Sequence, residues 1–313
     1  MNKFLHRFLL LMLAAVWCMA AALPGTVAEA ADQVPCWRLD APAGNGLPRN
    51  IFSTYGWRSL PDEINKTGLE DLHISGSGQM AEGEITPLYR YLRSMAGDEP
   101  IYLVDLRQES HGFGGGNALS WYSLHNVANR YQNREAVEKI EAEQLQELAE
   151  GEVIALSLGI EDKAAFGPVI IPAVAGTQER PLAEKAGFHY VRIAATDQVG
   201  LEPQAVDDFI NFYKSLPEKN VWLHFHCQSG HGRTTTFMVM YDIMRHPELS
   251  LEDIAARQHA LGGSNLLSPA KGNGIYSVWA EERRYMLQRF YDYVQANYQD
   301  NFAIPWWQWI RAR

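Results

Sequence analysis

Nine residues, His226-Cys-Gln-Ser-Gly-His-Gly-Arg-Thr234, bring together a thiol, two glycines, a guanidinium and a hydroxyl. The five-residue spacer between Cys227 and Arg233 is long enough to curl Gln228, Ser229, Gly230, His231 and Gly232 around one point, with the glycines free to take unusual dihedrals. The apolar run Val221 to His226 before it reads as a buried strand, and Thr234 to Arg245 after it as a helix. Loop N–H groups and the positive end of that helix's dipole then form a cradle for a phosphate dianion. The same field favours the thiolate of Cys227, and the planar fork of Arg233 suits phosphoryl oxygens better than a lysine would. This is the equipment for nucleophilic attack at phosphorus. An ordinary core cysteine beside a glycine turn would explain Cys227 but not the spacing of the other residues. A Walker loop would end in Gly-Lys-Ser/Thr, and a sulfurtransferase loop is shorter.

The elements around this loop alternate between strand and helix patterns, as in a parallel α/β core. Leu72 to Gly78 reads as a short strand running into a turn, Thr86 to Ala96 as a helix, Pro100 to Arg107 as a buried strand and Phe188 to Ala194 as another. Pro203 to Ser215, Ser250 to Leu261 and Val278 to Tyr298 carry helical spacing. Residues 31 to 65, rich in Pro, Gly and Asn, read as an irregular arm. From about 108 to 185 the pattern changes to a glycine-rich stretch, a charged helix from Arg134 to Glu150, and two β-type runs, Val153 to Leu158 and Pro168 to Val174. That segment reads as an inserted β-rich lobe packed with the arm. Glu109 and His111, at the exit of the Pro100 strand near the ligand face of such a core, read as hydrogen-bonding supports within it, with substrate contact the alternative. Trp306, Trp307 and Trp309 read as packing of the last segment on the core.

Lys3 and Arg7 precede an apolar run from Phe8 to Leu23, followed by Pro24-Gly25 and a small-x-small site at Ala28-Glu29-Ala30. This is the pattern of a signal peptide over residues 1–30, and the run is shorter than the roughly 20 residues a spanning helix needs. A soluble, exported bacterial protein of residues 31–313, periplasmic or secreted, is expected, with no stable membrane association. Its removal would move the formal charge from -10 to -11, which argues against a nucleic-acid partner. An anionic substrate would have to be drawn by a local basic pocket. Only Cys36 and Cys227 remain after Ala30, so no disulfide scaffold holds the fold, although a Cys36–Cys227 bridge stays open. His224 and His226 alternate on one strand without suitably spaced acidic or cysteine ligands, so neither a metal nor another cofactor is expected.

The Cys227 loop resembles the Cys-x5-Arg-Ser/Thr signature of the protein tyrosine phosphatase superfamily. Leu72 to Ser77, Val104 to Phe113, Ser120 to Tyr122, Ala194 to Asp197, Trp222 to Cys227, Arg257 to His259 and Pro305-Trp306 resemble the tyrosine-phosphatase-like phytases of bacteria. The resemblance spans nearly all of the chain after residue 30. It implies a phosphatase core, a central mostly parallel sheet flanked by helices, with an inserted partial β-barrel and no metal requirement. It also implies stepwise hydrolysis of myo-inositol polyphosphates through a cysteinyl phosphate. Asp197, thirty residues before Cys227, falls where that superfamily carries its general acid. By the same resemblance Thr234 hydrogen-bonds the cysteine sulfur and His226 helps keep it ionised.

This chain departs from the family in its outer contacts. Gln198 follows the acid where histidine is usual, and Gln228 stands where glutamate is frequent. The segment from Gly262 to Arg284, lysine-dense in relatives, offers Lys271, Arg283 and Arg284, opposed by Glu281 and Glu282. Ile51-Phe52 follows Arg49-Asn50 where relatives often carry another arginine. A less phosphorylated inositol, or a phosphorylated aromatic, is therefore as reasonable a substrate as the hexakisphosphate. Two other readings share the loop: a protein tyrosine or dual-specificity phosphatase, and a phospholigand-binding protein without turnover.

Overall fold

The computed structural model describes residues 35–157, 167–217, 220–270 and 272–312, so the expected signal segment, Leu158 and Lys271 lie outside the described residues. Five strands form the central sheet: β2 (Phe52–Ser53), β3 (Ile74–Ser77), β10 (Trp222–His226), β4 (Ile101–Arg107) and β9 (His189–Ala195), in that spatial order. β3, β10, β4 and β9 run parallel, and only the two-residue edge strand β2 is antiparallel. The α/β core thus has the mostly parallel sheet that the buried strand patterns imply.

Both faces of the sheet are covered. On one, Leu223 and Phe225 of β10, Val104 and Leu106 of β4 and Ile193 of β9 pack against α4 (Pro203–Ser215) and α5 (Gly232–Arg245). Every residue of α5 from Arg233 to Met244 is buried, the mark of a helix enclosed on all sides. α6 (Leu251–Ala260), α7 (Ile275–Asn297) and α8 (Trp306–Arg311) complete that layer. Trp306 and Trp309 bury themselves against Tyr293 of α7, while Trp307 stays exposed. On the other face α1 (Ile85–Ala96) and α3 (Glu179–Ala186) pack on Ile101, Leu103 and Trp222.

Strand alternation sorts the polar residues as well as the apolar ones. Ser75 and Ser77, His224 and His226, Asp105 and Arg107, and Arg192 all share the face of Trp222 and Leu103, and all are buried. They meet the lobe, whose sheet is β1 (Cys36–Ala41), β6 (Asn117–Tyr122) and β5 (His111–Gly114) in antiparallel order. The ribbon of β7 (Val153–Ala155) and β8 (Val169–Ile171) joins it where Leu39 N–H donates to the Leu156 carbonyl at 2.8 Å. α2 (Arg134–Glu147) lies against it, its first turn capped by the Asn133 side chain accepting from Ala136 N–H at 2.9 Å.

β1 corrects the expectation that residues 31–65 are irregular throughout. Trp37, Leu39 and Ala41 alternate with Arg38 and Asp40, but the run is six residues long and the Pro- and Gly-rich stretch after it obscures the period. The polar members are buried because they are paired. Arg38 Nε donates to Asp40 Oδ1 at 2.8 Å, and Asp40 Oδ2 lies 2.8 Å from Arg107 Nη1. Burial alone would push the Asp40 carboxyl up, yet Arg107 and Arg38 hold it below the usual range. Asp40→Ala, which removes a carboxylate shared by two buried guanidinium groups, should lower the unfolding free energy by about 3–5 kcal/mol in chemical denaturation.

Candidate active site

Cys227 follows β10 on the α5 face, and the loop Gln228 to Gly232 carries the chain into α5. Gly230 has φ +80°, and a Cβ there would lie 2.4 Å from Gly78 N, so the turn needs glycine for both conformation and space. The loop carbonyls are tied down. Gln228 O accepts from Arg49 Nη2 at 2.9 Å and from Gln79 N–H at 3.0 Å, and Ser229 O accepts from Asn50 Nδ2 at 2.8 Å. Asn50 Nδ2 also lies 3.1 Å from His231 Nε2. With its carbonyls engaged in this way, a loop can present its N–H groups to an anion. Cys227 is 2% exposed, and its sulfur accepts a hydrogen bond from Thr234 Oγ at 3.2 Å.

Arg233, also 2% exposed, is gripped end-on by Glu109, with Nη1 to Oε2 at 2.7 Å and Nη2 to Oε1 at 2.9 Å. Nη1 further donates to the Ala195 carbonyl at 3.1 Å. Nε lies 3.1 Å from Asp197 Oδ1 but, among the described residues, finds no aligned hydrogen-bond acceptor. The end-on fork of Arg233 is thus engaged by Glu109, and the edge formed by Nε and the second Nη2 hydrogen is left to face a ligand. Burial pulls the Arg233 guanidinium down, but Asp197 and Glu109 override it and hold it far above its ordinary value. Glu109 mirrors this: burial pushes its carboxyl up, and Arg233 and Arg107 hold it well below.

Asp197 follows β9. Its Oδ1 accepts from Gln198 N–H at 3.0 Å and its Oδ2 from Asn126 Nδ2 at 2.7 Å. Gln198 sits at φ +68°, and its carbonyl accepts from Arg283 Nη2 at 2.6 Å. The Arg283 guanidinium also lies against Gly232, where an added Cβ would be 2.9 Å from Nη1. Arg283 therefore joins the Asp197 loop to the Cys227 loop. Lys271 lies outside the described residues, and Arg284 is paired on the surface with Glu281.

His226 points to the opposite face of β10 from Cys227. Its Nε2 lies 2.8 Å from Glu179 Oε1 of α3, and Asp105 Oδ1 is 4.0 Å away. Gln79 links this pair to the loop, donating from Nε2 to Glu179 Oε2 at 2.5 Å while its backbone holds Gln228. Burial lowers the His226 pKa, but Glu179 and Asp105 outweigh it and the ring is held above its ordinary value, which favours its charged form behind Cys227. Neighbouring His224 is the reverse case. Its ring nitrogens lie 2.8 and 3.0 Å from the hydroxyls of Ser75 and Ser77, and burial takes its pKa down to about 3. Cys36 and Cys227 are both free thiols.

Glu109, Asn126, Arg49, Asn50, Gln79 and Glu179 take part in the site beyond the residues predicted from sequence. Glu109 was within reach, as a charge at the carboxyl end of a buried strand, where α/β ligands bind. Asn126 and Glu179 come from the lobe segment and its flanking helix, and no local spacing marks them.

A parallel sheet that delivers a cysteine into a five-residue loop closed by a helical arginine is the core of the protein tyrosine phosphatase class. Residues 104–245 match the family described as PTP-like phytase, inositol hexakisphosphate. The chain is similar to a tandemly repeated PTP-like phytase from Mitsuokella multacida, at 34% identity and TM-score 0.80, over 94% of this chain and 53% of that one. It is also similar to a PTP-like myo-inositol phosphatase of the same organism, solved with myo-inositol-(1,3,4,5)-tetrakisphosphate, at 32% identity and TM-score 0.81, over 99% of this chain and 57% of that one. A PTP-like phytase from Bdellovibrio bacteriovorus matches at 27% identity and TM-score 0.67, over 90% of this chain and 96% of that one. The chain spans a little over half the length of the two Mitsuokella proteins. Residues 104–245 thus carry a PTP-like phytase domain match.

The His226–Glu179 pair sets a pH dependence. A histidine held above its ordinary 6.5 contributes fully below that value and loses its contribution as pH rises through the raised pKa. Glu179, pushed up by burial but brought down overall by His226, contributes only above its own lowered pKa, which lies under the ordinary 4.5. The stability deficit of Glu179→Gln against the parent should therefore be greatest between about pH 5 and 6.5 and shrink in alkaline buffer, as read by urea denaturation across pH.

Proposed function

We propose that the protein hydrolyses phosphate monoesters of myo-inositol polyphosphates through a phosphocysteine intermediate. The observation that carries this reading is the convergence of the Cys227 sulfur, the unaligned Nε donor of Arg233 and the Asp197 carboxyl on one loop. The thiolate attacks phosphorus in line, forming the P–S bond as the P–O ester bond breaks. Loop amides and Arg233 hold the charge of the transferring phosphoryl group. Asp197 gives a proton to the leaving alkoxide, and then takes one from the water that attacks the phosphocysteine. Breaking the P–S bond returns Cys227, and the Thr234 hydroxyl is placed to stabilise the departing sulfur.

The inositol preference is drawn from a relative solved with an inositol tetrakisphosphate. Within that class we place the emphasis on partly phosphorylated rings. Arg284 is paired with Glu281, and Arg283 spends a donor on the Gln198 carbonyl, so among the described residues of this segment few cations are left to gather peripheral phosphates. A chain with this leader pattern would act outside the cytoplasm.

Cys227→Ser should abolish turnover while still binding phosphate, measured by phosphate release alongside calorimetric titration; retained turnover would overturn the mechanism. Asp197→Asn should slow turnover of inositol phosphates by about 10²–10⁴. A panel of inositol tetrakis- to hexakisphosphates and a phosphotyrosine peptide, with products resolved by isomer, tests the substrate class. Preferred hydrolysis of the peptide would replace it with a protein phosphatase.

A further inference from the structure

Asp197 is held from the lobe side by one residue. Asn126 is 4% exposed, and its Nδ2 lies 2.7 Å from Asp197 Oδ2 and 3.4 Å from Glu109 Oε1, so a single amide touches both carboxylates that flank Arg233. Its Oδ1 is buried and, among the described residues, has no hydrogen-bond partner. A buried amide oxygen without a protein partner calls for an explanation. Turning the amide over would present Oδ1 to Asp197, and an amide that donates one way and accepts the other fits both the carboxylate and the protonated acid.

The backbone that presents Asn126 is itself forced. His125 and Asn126 are consecutive non-glycine residues in the left-handed region, at φ 57° and 58°. Such conformations persist where the surroundings over-determine them. The surroundings here are two aromatic residues at the start of α7: the His125 ring meets Tyr276 and Trp279 edge-on at 5.5 and 5.4 Å, and its Nδ1 lies 3.0 Å from the Tyr276 hydroxyl. Tyr276 and Trp279 contact each other at 5.6 Å. α7 also carries Arg283, which holds the Gln198 carbonyl. The Asp197 loop is thus clasped between the lobe and α7.

We propose that Asn126 is a positioning residue for the general acid, presented by a His125–Asn126 turn that Tyr276 and Trp279 clamp from α7. The inference rests on the proposed role of Asp197. It assigns to the aromatic start of α7 a task in proton transfer through Asn126, separate from any contact with peripheral phosphates.

Protonation of the leaving group matters for an alkoxide and little for an acidic phenol, so the readout is leaving-group dependence. Asn126→Leu, which keeps the volume and removes the amide, should lower kcat on an inositol phosphate by about 10- to 100-fold with little change in KM. Turnover of 4-nitrophenyl phosphate should change less than about threefold, because its leaving group needs little proton assistance. In an Asp197→Asn background the same change should add almost nothing. Equal losses on both esters, or additive losses in the double variant, would overturn the proposal. Tyr276→Phe and Trp279→Ala, at partly exposed positions, should reproduce the same pattern more weakly. An activity-free measurement separates this proposal from the functional one: amide exchange at Gln198 and Val199 in the ligand-free protein should quicken in Asn126→Leu. Unchanged exchange there would sink the clasp whatever the substrate is.

Discussion

The fork between Glu109 and Arg233 is the constraint on which the rest of the structure turns. A guanidinium that is to meet phosphate in a dry loop must be kept charged and aimed while enclosed by protein, and a buried charge is tolerable only when paired and hydrogen-bonded. Glu109 provides that, but it is a buried charge in its turn and needs a partner. It finds one in Arg107, whose Nε donates to Glu109 Oε1 at 2.8 Å, and Arg107 in turn needs Asp40 of β1. The obligation is passed from the Cys227 loop, through the sheet, to the first described strand. The lobe is therefore a source of compensating charge for the core, which explains why a strand from the beginning of the chain pairs inside a segment inserted some eighty residues later.

The alternation of a single strand allocates two kinds of work. Cys227 faces the apolar layer built on α5, while His226 faces Glu179 and the polar layer beneath the lobe. A positive imidazolium can then sit one residue from the sulfur without occupying the space a substrate needs. His224, two residues earlier on the same face, is kept neutral between two serine hydroxyls, so the two imidazoles of one strand are shifted in opposite directions by the partners each meets.

Much of this fold was legible in the sequence where local patterns determine structure. α4 runs from Pro203 to Ser215 as its periodicity and its first-turn proline indicate, and β4 and β10 fall within their apolar runs. The Cys227 loop was legible because its chemistry lies within nine consecutive residues. β1 was not, since six residues of alternation carry a weak signal, and two of the polar members are buried by ion pairs that only the folded chain reveals. Glu109 was read as a support of the insertion and proves to support Arg233. Asn126 and Glu179 carry no signal along the chain, because what defines them is a partner 71 residues away in one case and a histidine across the sheet in the other.

Asp197 Oδ1 lies beside the Nε edge of Arg233. An aspartate so placed is an internal rival for the seat of every phosphate that enters. Under the proposed reaction, an entering phosphate would exchange with that carboxylate at one donor edge, so binding would trade one anion for another instead of filling a bare cationic loop.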